Sequence, residues 1–160
     1  MPRLSEQIEI NAARVDVFRF CYDLSNWPEW NEQVEAVELL GSPPIRRGTL
    51  LRIDAKHGLS AVFSWEAEVT DYQMPSGSTI RAIDTAGTSP FASGSELQWE
   101  FESTEGGSTR VTWTWDYSNR GFFAGVKNAL GGKSTMNRAI KNSLNNLKTL
   151  LESGRRAKIG

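Results

Sequence analysis

Four side chains in this sequence have the chemistry to hold or move a proton beside a bound molecule: His57, Arg81, Asp84 and Tyr117. His57 is the only histidine, so any triad or imidazole-based metal site rests on it alone. It stands in the turn "HGLS", residues 57–60, where a solvated surface residue is the ordinary occupant. Tyr117 follows the alternation of "RVTWTWDY" onto the apolar side of its strand, from which its hydroxyl can donate a hydrogen bond. In "TIRAIDT" two phases are open: either Ile80, Ala82 and Asp84 face inward, or Arg81 and Ile83 do. An inward charge needs a partner or a ligand, whereas an outward one is simply solvated. Two other patterns are dismissed. "GGKST" at 131–135 ends like a phosphate-binding loop, but that loop needs a glycine at 127, where this chain has Lys127. Glu66, Glu68, Glu100 and Glu102 look like paired acids, yet all fall on the outward phase of their strands.

The elements that carry these residues follow from hydrophobic period. "LSEQIEINA" alternates as a first strand with Ile8 and Ile10 on one face, and "ARVDVFRFCYDL" changes to helical spacing through Val15, Phe18 and Tyr22. Ser25 and Asn26 are expected to cap a second short helical turn, whose first turn tolerates Pro28. "EQVEAVELLG", "GTLLRIDAK", "SAVFSWEAEVTDY", "TIRAIDT", "ELQWEFES" and "STRVTWTWDYS" read as six strands joined by Gly- and Pro-marked turns. "AGTSPFASGS", residues 86–95, is rich in small residues and reads as a mobile loop. From about Gly121 to Ser153 the chain is helical, with Met136, Ile140, Leu144, Leu147 and Leu151 on one stripe and Gly131 and Gly132 interrupting its start. Residues 1–153 are expected to form one α+β domain, with 154–160 as a flexible tail.

Composition narrows the function classes. A length of 160 residues suits one domain with a sizeable core, and a net charge of -1 offers no field for nucleic acid or anionic membranes. Cys21 is the single cysteine, which excludes an internal disulfide and a Cys-rich zinc site; its apolar surroundings point to a buried thiol. "MPRLSEQIEI" lacks the apolar core of a signal peptide and no stretch has the length of a membrane span, so a cytoplasmic protein without membrane insertion is expected.

The strand faces are the most informative feature. Phe63, Trp65, Ala67 and Val69 share one face; so do Leu97, Trp99 and Phe101, and Val111, Trp113, Trp115 and Tyr117, all opposite polar neighbours. An antiparallel sheet with an apolar face must cover it, and only the C-terminal helix is long enough. A flat sheet of about seven strands would be too wide for one helix, so the sheet must curve around it. The enclosed space is either filled by aromatic side chains or left partly open as a ligand cavity.

"EQIEINAARVDVFRFCYDLSNWPEWNEQVEAVELL", with "GTLLRI", "RVTWTWDY" and "LNNLKTLLES", resembles the polyketide cyclase/dehydrase branch of the START-like (SRPBCC) superfamily. The resemblance spans about Glu6 to Glu152 and is most specific in N-A-x-x-x-x-V-F and D-L-S-N-W-P-E-W-N. It implies the helix-grip, Bet v 1-like fold: a curved antiparallel sheet around a long C-terminal helix, with two short helices after the first strand. It further implies that Trp27 and Trp30 are chiefly structural, packing the helix pair against the sheet. The family implies a cavity for a hydrophobic molecule such as a lipid, sterol or aromatic polyketide. Some members catalyse cyclisation or dehydration and many only bind, so the fold does not decide between these.

Three readings follow. In the first, the protein binds a hydrophobic small molecule, without cofactor or metal, lined by Phe63, Trp65, Trp99, Phe101, Trp113, Trp115, Tyr117, Met136 and Ile140. Alternating turns bring 57–60, 86–94 and 118–121 to one end of the sheet, where His57, Phe91, Phe122 and Phe123 would form the pocket mouth and 86–94 its lid. In the second, Tyr117 with Arg81 or Asp84 polarises and deprotonates a keto substrate, as in a metal-free cyclase/dehydratase or aromatase. In the third, aromatics fill the core and the domain is a protein-interaction module. A monomer or a homodimer is compatible with each.

Overall fold

The structure is a computed structural model that describes residues 3–32, 34–57, 61–83, 95–116 and 132–159, with side-chain environments for all of these but 55–57, 61–63, 132–136 and 154–159. The chain runs β1 (Arg3–Ile10), α1 (Arg14–Cys21), a 3-10 turn (Leu24–Asn26), α2 (Trp27–Trp30), β2 (Val34–Leu40), β3 (Leu50–His57), β4 (Ala61–Gln73), β5 (Gly77–Ala82), β6 (Glu96–Ser103), β7 (Thr109–Asp116) and α3 (Gly132–Ile159). The strands form one seven-stranded antiparallel sheet in the order β1-β7-β6-β5-β4-β3-β2. The six later strands are a meander, and β1 closes against the last of them.

Side-chain alternation explains which face is buried. Trp65, Ala67 and Val69 of β4, Leu97, Trp99 and Phe101 of β6, and Val111, Trp113 and Trp115 of β7 are all buried, while Glu66, Glu100 and Glu102 are exposed on the outer face. Glu102 there pairs with Arg110 at 3.7 Å across β6 and β7. Helix α3 lies on the inner face through Ile140, Leu144 and Leu147, with Leu151 half-buried beside them. It is described from Gly132, the expected stretch 121–131 lying outside the described residues, and it continues to Ile159, through the segment after Ser153 where a tail was expected.

Local chemistry fixes the helix pair. In α1, Asp16 in the first turn and Arg19 in the last oppose the helix dipole, and Val17, Phe18 and Cys21 face the core. The 3-10 turn is capped by Asp23, whose Oδ1 accepts from the Ser25 N–H at 3.3 Å and the Ser25 hydroxyl at 2.6 Å, while Asn26 takes the N-cap position of α2 as expected. Asn26 precedes α2 without a side-chain cap, and Pro28 occupies its first turn. Thr109 Oγ1 donates to the Ala12 carbonyl at 2.8 Å, tying the chain entering α1 to the start of β7. Three bonds then dock α2 to α3: Glu32 N–H to Ser143 Oγ at 3.0 Å, Asn142 Nδ2 to Glu32 Oε2 at 3.3 Å, and Asn146 Nδ2 to the Trp30 carbonyl at 3.3 Å.

Candidate ligand site on the concave face

The site is built on the pairing of β6 with β7, which sets Trp99 opposite Trp113 on the concave side. Helix α2 lowers Trp27 and Trp30 onto this pair, with ring centroids 5.3 and 5.6 Å from Trp99, and Trp30 reaches Trp113 at 6.0 Å. Tyr22, at the end of α1, meets the other side of Trp99 at 5.3 Å. Phe18, one helical turn earlier, stacks on Tyr22 at 4.8 Å and lies edge-on to Phe101 at 5.1 Å. Trp65 and Trp115 form a separate pair 6.0 Å apart, across the concave face from β4 to β7.

Trp27 and Trp30 pack α2 against the sheet, as the resemblance implies, and they do so by joining one cluster with Trp99 and Trp113. Their polar atoms differ, however. Trp27 Nε1 donates to the Cys21 carbonyl at 2.5 Å. Among the described residues the indole N–H groups of Trp30, Trp99 and Trp113 have no hydrogen-bond partner, nor do the hydroxyls of Tyr22 and Ser78 in the same region. Ser78 is the strand partner of Trp99. Each such buried group costs about 1–3 kcal/mol when left unpaired, so five in one connected cluster call for an explanation.

Beside Tyr22 the concave face opens at the edge strand β2. A groove of about 580 Å³ runs there between α1 with its following turn (Phe18, Tyr22, Leu24), β2 (Val37, Leu39), the β2–β3 loop (Pro43, Pro44, Ile45) and Tyr72. Arg19, Asp23 and Ser25 supply its polar rim. A second groove of about 730 Å³ lies between α1 and the last turns of α3, lined by Phe20, Leu150 and Leu151 with Asp16, Arg19, Asp23 and Asn26. Burial pushes the Cys21 thiol far up and raises Tyr22 well above an ordinary phenol, with Cys21, Tyr72 and Asp71 adding to it; burial also raises Tyr72. All three are therefore neutral at physiological pH.

Of the residues the sequence singles out, Trp65, Trp99, Phe101, Trp113, Trp115 and Ile140 are buried on or against the concave face. Arg81 is not: Ile80 and Ala82 take the inward phase of β5, which leaves Arg81 exposed on the outer face and removes it as a polar group of the pocket. The C-terminal ends of β3, β5 and β7 share one end of the sheet, as the alternating turns require. The mouth and lid assigned there, with Phe91, Phe122 and Phe123, lie outside the described residues, as do Asp84 and Tyr117 and the side chains of His57, Phe63 and Met136. Both described grooves are at the opposite end, by the helix pair.

Sequence reasoning missed the groove. Phe18 and Tyr22 are legible as the inner face of α1, but Tyr72 is not, since strict alternation from Trp65 through Val69 points it outward. A register shift between Val69 and Asp71 turns Tyr72 inward, where it pairs with Ser78 and lies 5.4 Å from Phe18 and 5.5 Å from Tyr22. Among the described residues no group of three His, Cys, Asp or Glu side chains could hold a metal ion, and no helix is long and apolar enough to cross a membrane.

The family model described as "Polyketide cyclase / dehydrase and lipid transport" matches residues 1–152. The chain belongs to this family. Among solved structures, TTHA0849 from Thermus thermophilus superposes with a TM-score of 0.75 at 21% identity, over 96% of this chain and 99% of that one. The Zhui aromatase/cyclase from Streptomyces sp. R1128 follows this fold with a TM-score of 0.73 at 16% identity, over 98% and 95% of the two chains. Ginseng major latex-like protein 151 from Panax ginseng gives 0.68 at 13% identity, over 92% and 95%. At these identities the likeness establishes the helix-grip fold. No curated protein matches the sequence.

Proposed function

We propose that the protein binds a hydrophobic small molecule against the concave face of the sheet. The observation that carries this reading is the groove of about 580 Å³ at the β2 edge, which opens the aromatic face between α1 and β2 and lies within the size range of small-molecule sites. Its walls are apolar or aromatic from three separate elements, and Tyr22 joins it to the Trp99 cluster. The family description, which couples cyclase/dehydrase with lipid transport, is consistent with a ligand of this kind.

A cyclase/dehydratase activity requires an acid-base group inside the pocket, and Arg81 is on the outer face. Tyr117, Asp84 and the side chain of His57 lie outside the described residues, so the binding reading rests on the groove itself. It is tested by tryptophan fluorescence and calorimetric titration of fatty acids, sterols and flavonoids, with native mass spectrometry for co-purified molecules. Leu39→Arg, at a half-buried groove position, is expected to weaken saturable binding at least tenfold with little loss of fold. Binding unchanged by Leu39→Arg would move the site away from the β2 edge, and no saturable binding of any class would end the reading.

A further inference from the structure

Trp30, Trp99 and Trp113 are 1%, 3% and 2% exposed, and each has an indole N–H without a hydrogen-bond partner among the described residues. An indole N–H can only donate, so these groups cannot satisfy one another. The described residues supply an acceptor for Trp27 through the Cys21 carbonyl, but for none of these three. Their rings are mutual neighbours, with Trp99–Trp113 at 5.7 Å completing the triangle, so the three donors belong to one region of the concave face. The two unpartnered hydroxyls, Ser78 beside Trp99 on the neighbouring strand and Tyr22 against its ring, add two more donors that can also accept. Tyr22 also lines the β2-edge groove, so the cluster adjoins a surface opening.

We infer that the tryptophan cluster is a recognition site for an uncharged oxygen acceptor on the ligand, a ketone, quinone or ether oxygen, taken by the indole N–H groups of Trp30, Trp99 and Trp113. The donor atoms carry no formal charge, so a carboxylate would lose its hydration without gaining a counter-ion, and a neutral carbonyl loses far less. The apolar body of the molecule lies against Phe18 and Tyr72 in the groove, and its oxygen reaches past Tyr22. The inference rests on the binding reading above and specifies the chemical class that reading leaves open.

Fluorene and 9-fluorenone share a rigid tricyclic frame and differ by one carbonyl, so they separate the two levels of the claim. Calorimetric titration of each is combined with proton–nitrogen correlation spectra of protein labelled at the indole nitrogens, assigned with Trp30→Phe, Trp99→Phe and Trp113→Phe. Fluorenone is expected to bind about five- to tenfold tighter than fluorene, the effect of one or two neutral hydrogen bonds. At least one of the three assigned indole signals should move downfield with the ketone and not with the hydrocarbon. Trp99→Phe should reduce the ketone preference. Equal binding of the two compounds with indistinguishable indole shifts would overturn the acceptor site and leave binding standing, the N–H groups then being satisfied by water or by neighbouring ring faces. If neither compound binds, the acceptor site falls; the binding reading is then judged separately by the fatty acid, sterol and flavonoid titrations. Should a variant fail to fold, the labelled wild-type protein with the two compounds still decides the question.

Discussion

Cys21 is a thiol whose reactivity the fold suppresses. Its side chain is buried at the end of α1, and its carbonyl is occupied by Trp27 Nε1. Burial raises the thiol far above its ordinary 9.0, and Tyr22 is raised above 10.0 for the same reason first. In both cases the unfolded chain releases its proton at a pH where the folded chain still holds it. The stability these groups contribute is therefore complete below about pH 8 and declines as pH rises beyond 9 for Cys21 and beyond 10 for Tyr22, by up to about 1.4 kcal/mol per pH unit for each group. Urea denaturation from pH 7 to 10.5 should show this fall, and Cys21→Ala should flatten its first part. An aromatic disulfide reagent at pH 8 should leave the native thiol unmodified and titrate one equivalent once the protein is unfolded, in keeping with the single cysteine. Prompt labelling of the native protein would contradict the burial. The sequence made the inert thiol readable from its apolar neighbours, but not its link to Trp27, which depends on how the chain turns between them.

At the scale of elements, what matters is how the helix pair is held over the tryptophans. Ser143, fully buried on α3, accepts from the Glu32 N–H and donates to the Ala139 carbonyl at 2.7 Å. Ser143→Ala leaves the Glu32 N–H without that acceptor and is expected to cost about 1–2 kcal/mol in urea denaturation. A change below about 0.3 kcal/mol would show that the two asparagine bonds are sufficient to dock α2. Gly77 poses a steric test in the sheet. A Cβ there would lie 2.5 Å from the Trp99 carbonyl, so β5 and β6 would have to separate beside the tryptophan cluster. Gly77→Ala should destabilise by roughly 2–4 kcal/mol, and a neutral outcome in thermal melting would mean that β5 shifts freely. Element types and most strand faces were legible from period alone. Tyr72 and Arg81 were not: a register shift reverses the phase of the first, and a six-residue strand leaves the phase of the second undetermined until its neighbours are paired.

For the whole molecule, the sheet has a covered side and an opening. Helix α3 lies along β1, where Lys148 Nζ donates to the Glu9 carbonyl and to Glu152 Oε2, both at 2.8 Å, and Glu152 Oε2 also accepts from the Asn11 N–H at 2.9 Å. The other edge, β2, is paired among the described residues only with β3 and borders the groove. Native-state hydrogen exchange should be slowest in β6 and β7, which are paired on both sides, and faster in β2 by local opening. Saturating ligand should slow exchange in β2 and α1 more than in β7. Uniform protection across the sheet would argue against binding at that edge.

The sequence by itself determined the α+β order of elements, the aromatic inner face and the solvated outer carboxylates, because hydrophobic period records which side of each element is buried, and the family resemblance implied the helix-grip arrangement. Only the tertiary structure decided which aromatics meet, that Trp30, Trp99 and Trp113 lie together with unpartnered N–H groups while Trp27 is satisfied, and that Tyr72 helps wall a groove. Those facts depend on strand register, on a β-bulge and on the angle at which α2 meets the sheet. They arise from packing between segments distant in the chain, and periodicity within one segment carries no record of it.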